Sequence, residues 1–245
     1  MSMNKTSIWA VIPAAGTGSR MQSEQPKQYL PLLGRPVLEY SLQLFLQHPA
    51  IEGVVVALSS DDPYWQDIDA TLRSKVICVD GGAERSDSVL NAVKAIDDPD
   101  AWVLVHDAAR PCLTAAEIDD LLAQRREFSD GAVLGVPVVD TLKRAQAGEP
   151  LQIDCTVSRE ALFRAMTPQM APLQTLLQAY EQCAQQGIKV TDEAQALESS
   201  GRQLGIVVGR ADNIKITYPD DIALAEFYLR QQINKGLRVE QDSAQ

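Results

Sequence analysis

The sequence predicts an α/β protein whose mostly parallel sheet carries helices on both faces. Three observations lead there. Short apolar runs alternate five times with segments of helical period, and glycine or aspartate follows several of those runs. With 45% of 245 residues hydrophobic, the chain has enough apolar material for one large core. The 22 Lys and Arg set against 33 Asp and Glu leave a net charge of −11 with no Lys/Arg-rich tract. That balance disfavours non-specific nucleic-acid binding, which needs a continuous basic surface, and no nucleic-acid partner is expected. No apolar run approaches the roughly 18 residues of a membrane span, so the expectation is a cytoplasmic protein with no membrane partner. Cys78, Cys112, Cys155 and Cys183 form no C-x-x-C pair and are expected as buried reduced thiols. His48 and His106 are the two histidines, which excludes an H-E-x-x-H metal site and leaves His106 as the one conceivable triad base.

The elements follow in order. Ile8–Pro13 reads as a buried strand running into the loop 14–20, which carries Gly16 and Gly18. A helix is expected over 37–46 with Pro36 at its first position, then a strand over 54–58. Helix 64–72, strand 76–79, helix 88–96 and strand 102–105 continue the alternation. Thr114 and Glu117 have capping-box spacing and open a helix expected to reach about Phe128, followed by strand 132–136. Segments 138–144 and 151–157 flank a turn at 147–150 and predict a protruding hairpin arm, about 138–158. Helix 173–186, a short helix 192–199, strand 204–208 and a last helix after Pro219 complete residues 1–234 as one domain. Residues 235–245 are expected as a disordered polar tail.

Four constellations could carry chemistry, and in a parallel sheet they belong beyond the strand C-termini. Gly16 and Gly18 let backbone N–H groups approach a phosphate chain, with Arg20 and Lys27 adding charge. The dinucleotide fingerprint fits badly, since Pro26, Pro31 and Pro36 follow and a third glycine is missing. Asp107 ends an apolar strand, where a hard carboxylate suits Mg²⁺ escorting a triphosphate. Arg110 either binds phosphate or pairs with Asp107, and His106 is better read as packed than as a base. Lys215 lies between Ile214 and Ile216 and, on a strand, would face away from them. In the loop 80–88, Gly82 permits close backbone approach, and Ser88 is best read as a helix cap.

Together P-A-A-G-T-G-S-R-M, P-K-Q-Y, D-G-G-x-x-R, V-H-D-A-A-R-P, T-V-S-R, T-P-Q, T-D-E-A and G-R-A-D-N-I-K make the chain resemble the 2-C-methyl-D-erythritol 4-phosphate cytidylyltransferases over about residues 8–230. The resemblance implies a Rossmann-like nucleotidyltransferase fold. It also implies a reaction in which CTP and methylerythritol 4-phosphate give the CDP-alcohol and pyrophosphate with Mg²⁺, a step of the non-mevalonate route to isoprenoids. By similarity Ala14, Ala15, Gly16, Gly82, Ser88 and Ala108 hold the nucleotide. Arg20, Lys27 and Lys215 are the catalytic cations, and Asp107 lies at the metal and nucleotide. Thr141, Arg159, Thr167, Arg110 and Asp212 hold the acceptor, with Thr141 and Arg159 on an arm exchanged in a homodimer. Ala83 departs from the family, which often has an acidic residue there, so a side-chain contact to cytidine is in doubt at that position. The rival readings are a cytidylyltransferase for another polyol phosphate, such as ribitol 5-phosphate, and a non-catalytic nucleotide-binding module.

Overall fold

The structure is a computed structural model that describes residues 6–16, 18, 21 and 23–238. Its strands are β1 (Ile8–Pro13), β2 (Pro31–Leu32), β3 (Arg35–Pro36), β4 (Gly53–Leu58), β5 (Ile77–Asp80), β6 (Trp102–Val105), β7 (Ala132–Pro137), β8 (Leu142–Ala145), β9 (Ile153–Val157), β10 (Phe163–Pro172) and β11 (Gly205–Val208). The α-helices are α1 (Val37–Gln47), α2 (Ala70–Arg73), α3 (Arg85–Lys94), α4 (Ala115–Ala123), α5 (Leu173–Gln185), α6 (Glu193–Ser199) and α7 (Asp221–Asn234). Among the described residues the main sheet has seven strands in the order β11-β7-β10-β6-β1-β4-β5. The pairs β1–β4, β1–β6, β4–β5 and β7–β11 are parallel, and β10 runs antiparallel to both β6 and β7.

Side-chain alternation explains why these apolar runs form a sheet covered twice. Ala10, Ile12, Val54, Val56 and Leu104 face one core, while Val11, Val55, Ala57, Val103 and Val105 face the other. On the first side α1 and α4 supply Leu38, Leu42, Phe45, Ile118 and Leu121. On the second, α3, α5 and α6 supply Val89, Ala92, Leu176, Ala179 and Leu197. Each buried Val, Leu, Ile or Phe among them contributes about 1.5–3 kcal/mol against the entropy of ordering the chain. A third cluster seats α7, through Ala225 and Leu229, on Leu32, Tyr40 and Ile216.

The structure departs from the sequence expectations at identifiable places. Pro36 precedes α1 with extended ψ of 139°, because it is paired with Pro31 in the small β2–β3 ladder. The helix expected over 64–72 is split: Asp62 caps a 3-10 turn at Pro63–Asp67, and Asp69 caps α2. Helix α3 starts at Arg85, where Asp87 Oδ2 accepts from the Glu84 N–H at 3.0 Å, so Ser88 lies inside the helix and does not cap it. The Thr114–Glu117 capping box forms as expected, but α4 ends at Ala123 and passes into a 3-10 turn. The arm strands are shorter than expected and make a separate two-stranded sheet. Strand β10 was not anticipated. Pro168 inside it argues against a central strand, and a register shift between Ala165 and Gln169 absorbs the interruption. Cys78 and Cys155 are exposed rather than buried. Segment 213–217 has no strand assignment. Of the tail expected over 235–245, residues 239–245 lie outside the described residues, and Arg238 before them donates to the Pro111 and Leu113 carbonyls.

Candidate active site

A cleft of about 190 Å³ opens where β1, β5 and β6 end. Its floor is the loop after β1, whose shape depends on Gln28. The Gln28 amide donates to the Ala14 carbonyl at 2.7 Å and the Gly16 carbonyl at 3.0 Å, and the side chain is buried. A Cβ at Gly16 would meet no protein atom within 4 Å, so this glycine answers no packing demand of its own and leaves its backbone open to the cleft. Gly81 is different. A Cβ there would lie 2.3 Å from Ala15 Cβ, so the loops after β1 and β5 approach this closely only with glycine at that position. The Gly82 N–H donates to Ser88 Oγ at 3.0 Å, and Ser88 Oγ donates to the Glu84 carbonyl.

Asp107 is the buried carboxylate of the cleft. Arg85 Nε donates to its Oδ1 at 3.1 Å, while Lys215 Nζ at 2.9 Å and Arg110 Nε at 3.3 Å reach Oδ2. Burial works against the charge, but Arg85, Lys215 and Arg110 outweigh it and hold this carboxyl well below the usual carboxylate range. Behind it stands a chain of directed hydrogen bonds. Asp107 N–H donates to Thr167 Oγ1 at 3.0 Å, and Thr167 Oγ1 lies 3.0 Å from His106 Nδ1. His106 Nε2 faces the Arg110 carbonyl at 3.0 Å, so Nε2 carries the proton and Nδ1 accepts from Thr167. Burial pushes the imidazole down to about 4. His106 is therefore neutral scaffolding, as expected.

The segment after β11 closes the site. Ile216 N–H donates to the Ala109 carbonyl, Arg110 donates to the Asn213 carbonyl, and Lys27 Nζ donates to the Ile216 carbonyl at 2.9 Å. Lys215 is thereby aimed at Asp107 while Ile216 is fully buried, so the alternation expected of a strand is achieved by loop contacts. Arg85 reaches further. Its two terminal nitrogens donate to Glu193 Oε1 at 2.8 Å and Oε2 at 3.2 Å.

Of the residues expected here, Ala14, Ala15, Gly16, Lys27, Gly82, Ser88, Asp107, Ala108 and Lys215 line the cleft. Arg20 lies outside the described residues. Thr141, Arg159, Thr167, Arg110 and Asp212 are not part of the lining. Thr167 and Arg110 stand behind Asp107, Asp212 is paired with Arg210 at 2.6 Å, and the Arg159 guanidinium is bonded to the Val139 carbonyl on the arm. Gln28, Arg85 and Glu193 were not assigned roles from sequence, although P-K-Q-Y, D-G-G-x-x-R and T-D-E-A contain them. Among the described residues no three His, Cys, Asp or Glu side chains form a metal-binding group. One buried carboxylate at the edge of the cleft suits a hard divalent ion that arrives on phosphate oxygens and keeps waters.

The family model for 2-C-methyl-D-erythritol 4-phosphate cytidylyltransferase matches residues 8–231. A protein of that name from Shewanella amazonensis is 51% identical over 94% of this chain and 97% of its own length. The Vibrio cholerae protein of the same name is 50% identical over 93% and 98%. The crystal structure of the Francisella tularensis protein of this name aligns with a TM-score of 0.79 at 34% identity, covering 91% of this chain and 100% of that one. With the family model matching residues 8–231 and relatives about 50% identical across nearly all of its length, the chain belongs to the 2-C-methyl-D-erythritol 4-phosphate cytidylyltransferase family.

Proposed function

We propose that the chain transfers CMP from CTP to 2-C-methyl-D-erythritol 4-phosphate, giving 4-diphosphocytidyl-2-C-methyl-D-erythritol and pyrophosphate, a step in isoprenoid precursor synthesis. The observation that carries this reading is the convergence of Lys27, Lys215 and Asp107 on a cleft floored by the backbone of Ala14–Gly16. The nucleophile is a phosphomonoester oxygen, already ionised at neutral pH because its second pKa is ~6. A general base is unnecessary. The work left to the protein is to hold two anions together, align in-line attack at the α-phosphorus and stabilise the charge that spreads there. Lys27 and Lys215, with Arg20 by resemblance, supply positive charge, and the loops carrying Gly16 and Gly82 hold the cytidine with Ala14, Ala15, Ser88 and Ala108. Asp107 would hold Mg²⁺ together with the triphosphate, where the ion neutralises phosphate charge. Lys215 pairs with Asp107 here and is the cation that turns to phosphate as the nucleotide loads.

Thr141 and Arg159 lie on the arm, away from their own chain's cleft, and the arm exposes Val139, Leu151 and Ile153. These features support a homodimer in which the arm of one subunit serves the acceptor site of the other. Residues 1–234 are read as one domain with that arm. No helix among the described residues is long and apolar enough to cross a membrane. The four free cysteines, two of them exposed, suit a reducing cytoplasm. The deciding experiment measures pyrophosphate release from CTP and Mg²⁺ with methylerythritol 4-phosphate, with ribitol 5-phosphate and with no acceptor. Release with the first acceptor alone is expected. Release with ribitol 5-phosphate alone would overturn the acceptor, and silence with both would overturn the transferase reading.

A further inference from the structure

Glu193 is a carboxylate with 1% of its surface exposed, and neither the cleft lining nor the proposed chemistry uses it. It opens α6, where the helix N-terminus favours a negative charge. Both its oxygens accept from Arg85, and Oε1 also accepts from the Tyr180 hydroxyl at 2.9 Å. Helix α6 itself is pinned, since Gln169 of β10 accepts from Ala194 N–H and donates to Asp192. The guanidinium plane of Arg85 is thus set by Glu193, and its remaining Nε–H falls on Asp107 Oδ1. The same cation bridges two buried carboxylates, one inside the cleft and one behind it.

Counting formal charges, Asp107 faces three cations, and Glu193 is the second anion that one of them answers to. Burial opposes the Arg85 charge, but Glu193 and Asp107 overcome it and hold the guanidinium above its usual range. Divided between two anions, Arg85 orients Asp107 without neutralising it fully. Given to Asp107 alone, it would compete with any other cation for that carboxylate. We infer that Glu193 is a positioning residue which, by holding Arg85, keeps Asp107 both oriented and available to the divalent ion that accompanies the nucleotide. The inference rests on Asp107 being the metal-side residue.

The test is the gain in CTP affinity that Mg²⁺ produces, measured by calorimetric titration of CTP into purified protein in EDTA and in Mg²⁺, with no acceptor present. Asp107→Asn sets the scale and is expected to abolish the gain. Glu193→Gln leaves Arg85 to Asp107 and should cut the gain by about tenfold, the scale of one charge-assisted hydrogen bond. Arg85→Gln combined with Glu193→Gln removes the competing cation with its partner while Arg110 and Lys215 still hold Asp107 in place, and should return most of the gain. A merely structural role for the pair would leave the double variant as weak as the single one or weaker. Circular dichroism checks that each variant folds. If Glu193→Gln does not fold, the neutral Gln–Gln pair carries the test, with recovery close to wild type expected and a loss as complete as that of Asp107→Asn overturning the inference. A wild-type gain in Glu193→Gln, beside a lost gain in Asp107→Asn, overturns the inference alone. A retained gain in Asp107→Asn overturns the metal reading of Asp107 and the inference with it.

Discussion

Gly18 and Lys27 explain each other. Gly18 has φ of +67°, and a Cβ there would lie 3.0 Å from Lys27 Cγ, so the glycine both takes a left-handed turn and leaves room for the lysine stem. With its ammonium on the Ile216 carbonyl, Lys27 is held in place before any phosphate arrives. Lys27→Ala is expected to lower kcat by ~10²–10³-fold, the range for loss of a preorganised electrostatic group, while CTP-free thermal stability changes little. Steady-state kinetics beside a melting curve separates the two. His106 yields a prediction on stability. Its pKa is about 4 when folded against 6.5 for the free side chain, so between those values the unfolded chain binds the extra proton. Stability from this group is complete above pH 6.5, shrinks as pH falls toward 4 and amounts to about 3 kcal/mol. Denaturant titrations at pH 7 and pH 4.5 should show that loss, and a His106→Gln variant should show less of it. Asp107 could be read from sequence because an aspartate closing an apolar strand lies where ligands bind. Arg85 could not, because the Glu193 that orients it is 108 residues away.

At the scale of elements, local chemistry was the more legible part. The Thr114–Glu117 box was visible as a four-residue pattern and forms with Thr114 Oγ1 to Glu117 Oε2 at 2.9 Å. Its loss through Thr114→Ala should cost about 1–2 kcal/mol, seen as a fall of roughly 2–4 °C per kcal/mol in Tm for a chain of this size, with CTP affinity unchanged. Glu117 Oε1 also accepts from Arg210 N–H, a contact that no spacing rule reveals. The junction between the loops after β1 and β5 is more exacting. Gly81→Ala would place its new carbon against Ala15 and push the loops apart, and misplacement by ~1 Å can cost ~10²-fold in catalysis. We expect a matching fall in kcat/KM for CTP, with the melting temperature as the control for folding. Helices α1 and α5 were readable from apolar period because each lays an apolar face on the sheet, although α1 also packs Val37 and Tyr40 in the cluster that seats α7. Strand β10 was not, because Pro168 and the bulge break the two-residue repeat just where the strand passes Asp107.

For the whole molecule, the parallel core was legible in alternating apolar runs, whereas the quaternary reading depends on an arm whose side chains find few partners in their own chain. Val139, Leu151 and Ile153 are each more than 60% exposed, against a core where most apolar groups are buried. If the arm serves a second subunit, a Lys27→Ala chain and an Arg159→Ala chain are each inactive alone but complement one another when refolded together. A random two-fold mixture should recover about a quarter of wild-type activity, one intact site in half of the dimers. Recovery of nothing would place both residues in the same subunit's site.

The long span of the site's contacts has a consequence for how the protein is born. Lys27 finds the Ile216 carbonyl 189 residues later, and Arg110 finds Asn213 after 103. Strand β7 leaves the ribosome before either of its neighbours, β10 and β11. A nascent chain that has exposed β1 through β7 therefore carries an unpaired strand and no working cleft, and it stays open to proteases and chaperones until β11 and the segment through Ile216 have emerged. Cells in which translation stalls after the arm accumulate a fragment with sticky edges and no nucleotide to steady it, so for this fold the vulnerable interval falls late in synthesis.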